Sequence, residues 1–298
     1  MTRTFQTTGP RGLDYDAFAF RLWQKAKRYG VWDPAAIDFA RDALDWPTLT
    51  GPEQDILLRL TALFQGGEEA VTLDLLPLIG AVAADGRLEE EMYLTSFLWE
   101  EAKHVEFFRR FLDGVTRERG DLARYHSPSY VTLFGSELPE AMGRLREDRS
   151  PVAIARAAVT YNMIVEGVLA ETGYPGYYAA LRRRGVLPAM QAGITEVKRD
   201  ESRHLAFGVF LLSRLVAEHG DPVWDAIEER MNALLPLAVG VIGEAFAPYD
   251  PIPFGLELEE FVSFAMRQFQ GRYARIERAR DQDLATILRG AGSDEGDG

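Results

Sequence analysis

The feature that most constrains this chain is a short pattern that occurs twice. Glu100-Glu101-Ala102-Lys103-His104 is repeated about a hundred residues later as Asp200-Glu201-Ser202-Arg203-His204. Each copy reads acidic, Glu, any residue, basic, His. A Glu and a His three positions apart stand side by side on a helix, one turn separated. Both copies also lie on apolar stripes. Leu94, Phe97, Glu101, His104, Phe108 and Phe111 share one face, and Val197, Glu201, His204, Gly208 and Leu211 share another. A carboxylate on a buried face is costly unless something neutralises it. The chain holds only four histidines, so two of them at matched positions is a constraint on the whole fold. A Glu-x-x-His spacing alone is common by chance; two copies on apolar faces point to metal ligation.

Such pairs need further carboxylates from other helices to hold two ions. Leu57, Leu60, Phe64, Glu68, Val71 and Leu75 share a face in one long helical stretch, which makes Glu68 the inward acid. Its neighbour Glu69 falls on a mixed face with Gln65 and Thr72. In another stretch Ala155, Val159, Asn162, Glu166 and Leu169 align, which selects Glu166 over Glu171. The candidate ligands are then Glu68, Glu101, His104, Glu166, Glu201 and His204. Metal-bound histidines usually give their second N–H to a carboxylate or carbonyl. Glu100 and Asp200, each preceding a ligand Glu, are placed to reach the histidine of the opposite helix pair, with Lys103 and Arg203 placed to neutralise them. The other two histidines need no such role: His126 falls in a loop and His219 at a helix C-terminus, where a cation meets the dipole favourably.

The periodicity is helical almost throughout, with no convincing strand alternation. Helices are expected over residues 14–29 and from Asp33-Pro34 to about 44. Thr50-Gly51-Pro52-Glu53 reads as a capping box opening a helix to about 84, with Gly66-Gly67 or Pro77 as points of disturbance. Further helices are expected over 88–115, 151–183, 188–219, 221–246 and 258–280, with a loop-rich crossover over 119–136. The four long ones form two hairpins joined by that crossover. A little over thirty residues separates Glu68 from Glu101, and again Glu166 from Glu201. The expected fold is all-α: a ferritin-like four-helix bundle of two hairpins with flanking helices, in a single domain over 1–298 whose ends, 1–13 and 290–298, read as flexible.

Composition narrows the function. The absence of cysteine excludes thiolate ligands, so oxygen and imidazole must serve, which suits Mn, Fe or Zn. A net charge of −13 argues against nucleic-acid or anionic-membrane surfaces. The start of the chain has no apolar signal-like region and no run of about 18 apolar residues stands out, so a cytoplasmic protein without a membrane segment is expected. No phosphate-binding or nucleophile-elbow glycine motif precedes a helix.

On these residues the chain resembles the small subunit of ribonucleotide reductase, and within that superfamily its ligand-binding oxidase relatives, over about 14–280. The first ligand is Glu68 rather than the Asp of di-iron reductase subunits. Phe108 stands one turn after His104, where those subunits carry a radical tyrosine. Beyond Tyr273 there is no aromatic residue, whereas the reductase subunit uses a C-terminal tyrosine. The first two details also suit Mn/Fe reductase subunits. The resemblance implies an O2-dependent oxidoreductase and homodimer with a mixed Mn/Fe centre, although the same ligand set also binds two irons. It places Mn with Glu68 and His104, Fe with Glu166, Glu201 and His204, and Glu101 between them. It further implies a long-chain fatty acid at the metals and an ether cross-link between Val71 and Tyr161. On helical grounds alone those two are ordinary core residues. The alternatives are a Mn/Fe radical-generating reductase subunit and a non-enzymatic ferritin-like metal-binding protein.

Overall fold

The computed structural model describes residues 5–290; residues 1–4 and 291–298 lie outside the described residues, including most of the C-terminal segment expected to be flexible. Among the described residues there is no strand. Helix α1 spans Phe18–Tyr29 and begins four residues later than the periodicity suggests, because 14–17 form turns. The expected helix over 33–44 is broken. A single 3-10 turn at Pro34–Ala36 gives way to extended backbone before α2, Ala40–Asp45. The break has a use. Asp42 and Asp45 of α2, both buried, point at the start of a later helix: Asp42 accepts from the Ala189 and Met190 N–H groups at 3.0 and 2.7 Å, and Asp45 from that of Leu187 at 3.1 Å. They satisfy N–H groups that a helix start otherwise leaves unpaired.

Helix α3, Gly51–Ala84, opens with the expected capping box and passes Gly66-Gly67 and Pro77 without a break. Asp85 and Gly86 turn the chain into α4, Leu88–Phe111, which ends in one wide π turn at Leu112–Thr116. The crossover contains α5, Pro128–Thr132, and α6, Leu138–Arg144. A single rod then runs over 151–184 in three parts: α7, Pro151–Ala158; a twelve-residue π-helical stretch, Val159–Ala170; and α8, Glu171–Arg184. Gly185, in the left-handed region, ends the rod, and α9, Pro188–His219, returns along it. Helices α10, Asp221–Phe246, and α11, Leu258–Arg278, pack against the π stretch, and a short α12, Leu284–Leu288, absent from the periodicity reading, lies on α9.

The bundle is therefore α3 and α4 paired against the rod and α9. The rod is apolar and long enough to cross a membrane, but 83% of its most apolar window is buried inside the bundle. Its hydrophobicity is that of a central core helix surrounded by others. Uninterrupted i→i+5 bonding is rare and tends to mark functional segments. Here it carries Tyr161, Asn162 and Glu166. Arg272 of α11 braces it, donating to the Gly167 carbonyl at 2.6 Å and to Glu171 at 2.9 Å.

Candidate metal centre

All six candidate ligands come together in the middle of the bundle. Glu68 comes from α3, Glu101 and His104 from α4, Glu166 from the π stretch, and Glu201 and His204 from α9. Their donor atoms form two quartets, Glu68/Glu101/His104/Glu201 and Glu101/Glu166/Glu201/His204, each with all atoms within 4.8 Å of one another. Glu101 and Glu201 belong to both. All six side chains are buried, whereas the rival Glu69 is exposed and Glu171 is taken up by Arg272.

The arrangement fits metal ions and little else. His104 Nδ1 faces carboxylate oxygens of Glu201, Glu68 and Glu101 at 3.4, 3.5 and 3.6 Å, and His204 Nδ1 faces those of Glu101, Glu201 and Glu166 at 3.2, 3.4 and 3.8 Å. Donor atoms around one ion with bonds of about 2.1 Å lie roughly 3.0–3.4 Å apart. Both Nδ1 atoms, together with Glu101 Oε2, Glu166 Oε1 and Glu201 Oε2, are buried without a hydrogen-bond partner. Five orphaned donor and acceptor atoms converging on one point would be expensive in a protein that kept the space for itself.

Outside this ring the histidines are held by the opposite hairpin. His104 Nε2 lies 3.3 Å from Asp200 Oδ2, and His204 Nε2 lies 2.9 Å from Glu100 Oε2. Lys103 Nζ donates to Asp200 at 3.0 Å and to the Gly30 carbonyl at 2.5 Å; Arg203 donates to Glu100 at 2.6 Å and to Asp200 at 2.5 Å. These two cations balance Glu100 and Asp200, which leaves the four inner glutamates without a counter-charge, as two divalent ions require. Phe97 stacks on the His204 ring at 3.6 Å between centroids. Gly30 has to be a glycine: a Cβ there would sit 2.0 Å from Glu100 Oε1.

The electrostatics follow from crowding. Burial pushes the Glu68 carboxyl well above its usual range, against the pull of His104; burial and the Glu201 charge do the same to Glu166. Burial also pushes Glu101 up, but the two histidine rings facing it outweigh that and hold this carboxyl well below the usual range. Burial depresses the histidines, yet Glu68 beside His104 and Glu201 beside His204 carry both well above an ordinary imidazole. Without cations, the site keeps protons in their place.

Tyr161, fully buried, donates from its hydroxyl to Glu101 Oε1 at 3.0 Å, and Val71 is buried on α3. Three contributors escaped the sequence reading. Trp32 donates its indole N–H to Asp200 Oδ2 at 2.8 Å, from a turn with no periodic signal. Asn162, read only as a stripe residue, donates to Glu166 Oε2 at 2.9 Å. Gly208 lets α9 approach it so closely that a Cβ there would lie 2.3 Å from that of Asn162. The third is a cavity. A largely apolar space opens against the four glutamates between α3, the crossover, the rod, α10 and α11, with Val71, Phe64, Leu169, Ile242 and Phe246 among its walls.

A buried carboxylate–histidine metal site inside two paired helical hairpins defines the class: a ferritin-like metalloprotein with an apolar cavity beside its centre. The sequence matches the ribonucleotide reductase small-chain family over residues 15–264, and the chain belongs to that family. Among solved structures it is similar to R2-like ligand-binding oxidases. A valine-to-leucine variant with anaerobically reconstituted Mn/Fe cofactor is 38% identical, with a TM-score of 0.87, over 93% of this chain and 100% of that one. A tyrosine-to-phenylalanine variant with aerobically reconstituted Mn/Fe cofactor is 38% identical over the same shares, with a TM-score of 0.86. A valine-to-isoleucine variant, also aerobically reconstituted with Mn/Fe, is 37% identical over the same shares, with a TM-score of 0.89.

Proposed function

We propose that this chain is an O2-dependent oxidase with a mixed Mn/Fe centre that holds a long-chain fatty acid, or a similar apolar acid, beside the metals. The observation that carries the reading is the position of the six-ligand cluster at the floor of the apolar cavity. Glu68 and His104 would hold one ion, Glu166 and His204 the other, with Glu101 and Glu201 within reach of both. A bound Mn/Fe pair would supply the redox equivalents and Lewis acidity that O2 activation needs. The chain's own residues do the rest. The apolar walls exclude water from the centre and orient an extended chain with its carboxylate toward the metals.

Val71 and Tyr161 are proposed to become joined by an ether bond. Tyr161 loses its hydroxyl proton, for which the Glu101 oxygen it already touches is the nearest acceptor, and Val71 loses a side-chain hydrogen. The two electrons and two protons removed pass to O2. The solved relatives were varied at a valine and at a tyrosine, which agrees with attention to such a pair. Exposed Leu73 and Leu76 on α3 and Trp99 on α4 support a homodimer through the first hairpin, which sedimentation would test.

The deciding experiment is peptide mass mapping after loading metal-free protein with Mn and Fe in air. Peptides carrying Val71 and Tyr161 are expected joined and lighter by two hydrogens. Both metals bound with the peptides still separate would refute the cross-link and favour a reductase-type subunit.

A further inference from the structure

The cavity wall contains one feature that a plain hydrocarbon chain does not explain. Thr172, at the start of α8, lines the cavity and is 3% exposed, and its hydroxyl has no hydrogen-bond partner. Helical threonines usually return their hydroxyl to the carbonyl one turn back. Thr61, Thr160 and Thr195 do so here, at 2.7, 2.8 and 2.9 Å. Thr172 does not. It follows directly on the π stretch, where the Val168 carbonyl already receives the Glu171 N–H.

Apart from the four glutamates of the floor, the other polar side chain among the described cavity residues is Tyr130, and its hydroxyl is committed to the Leu63 carbonyl at 2.9 Å. Thr172 is thus the neutral hydrogen-bonding group left to a ligand. A buried hydroxyl without a partner is a standing cost, recovered if a ligand brings an oxygen to it. Its place along the chain can be bounded. Glu166 and Thr172 lie on the same rod six residues apart, so their Cα atoms are separated by at most roughly 9 Å along its axis. A chain whose carboxylate sits at the metals would pass Thr172 several carbons from its head.

We propose that the cavity is selective for an oxygenated acyl chain, with a hydroxyl or keto oxygen in mid-chain held by Thr172. This rests on the acyl-ligand reading above and deepens it. A hydroxyl on threonine both donates and accepts, so it serves either group.

The test uses delipidated full-length protein loaded with manganese and kept anaerobic, so that no ligand is consumed. Calorimetric titration compares hexadecanoic acid with its monohydroxy isomers substituted between C6 and C10. The wild-type protein is expected to bind at least one isomer roughly fivefold more tightly than the plain acid. Thr172→Val, nearly the same shape, should lose that preference while binding the plain acid at least as well. Thr172→Ser should keep it. Equal affinities in the wild-type protein, or a preference that survives Thr172→Val, would overturn the proposal while leaving the acyl reading intact. Binding of neither acid would overturn both.

Discussion

Arg203 is the place where fold and metal site share one side chain. It is 2% exposed and bonds both Glu100, at 2.6 Å, and Asp200, at 2.5 Å, across the two hairpins. Replacing it with Met keeps the length and apolar stem but leaves two buried carboxylates with one cation, Lys103, which reaches only Asp200. Breaking a buried ion pair from one side costs about 3–5 kcal/mol, against a total stability of about 5–15 kcal/mol. For a chain somewhat larger than 250 residues this corresponds to a drop in Tm of roughly 5–12 °C. Glu100 also holds His204 Nε2, so freeing it should weaken metal binding by about 10–100-fold. The assay is urea unfolding of the metal-free protein alongside metal titration, for Arg203→Met, Glu100→Gln and the double variant. The cycle should show a coupling of at least 1–2 kcal/mol, roughly the worth of one charged hydrogen bond, because the double variant removes both members of the pair. A single variant that costs under about 1 kcal/mol, with unchanged metal affinity, would refute the reasoning, since a pair this buried cannot be neutral on one-sided removal.

Because Glu101 belongs to both quartets and Glu166 to one, Glu101→Ala should abolish binding of both metals and Glu166→Ala should retain one, as read by elemental analysis. The raised Glu68 and Glu166 carboxyls and the raised histidines mean that the metal-free site holds its protons to higher pH than free side chains do, and ions must displace them. Metal affinity should therefore rise with pH, and loading should release protons measurable by calorimetry in two buffers; loading without proton release would contradict the electrostatics. Gly208→Ala puts a Cβ 2.3 Å from that of Asn162, so it should cost about 1–3 kcal/mol and displace the group that holds Glu166; a stable variant with normal metal stoichiometry would show that α9 can back away.

What the sequence alone determined was which four glutamates and two histidines face inward together. Glu-x-x-His pairs and inward carboxylates are readable because helical periodicity is local: three or four positions on one chain fix which side chains share a face. The same logic selected Glu68 over Glu69 and placed the capping box at Thr50. Tertiary structure decided what periodicity cannot encode. The rod reads as one ordinary helix, yet over Val159–Ala170 it widens into π form, braced from outside by Arg272. Trp32 and Asp42 act on α9 from segments far away in sequence, and the residues over 33–44 break into short pieces that allow it. The cavity that Thr172 lines is closed by α10 and α11 packing over the rod. A hydrogen bond or a void between distant segments leaves no period in the sequence, so only the folded chain could reveal it.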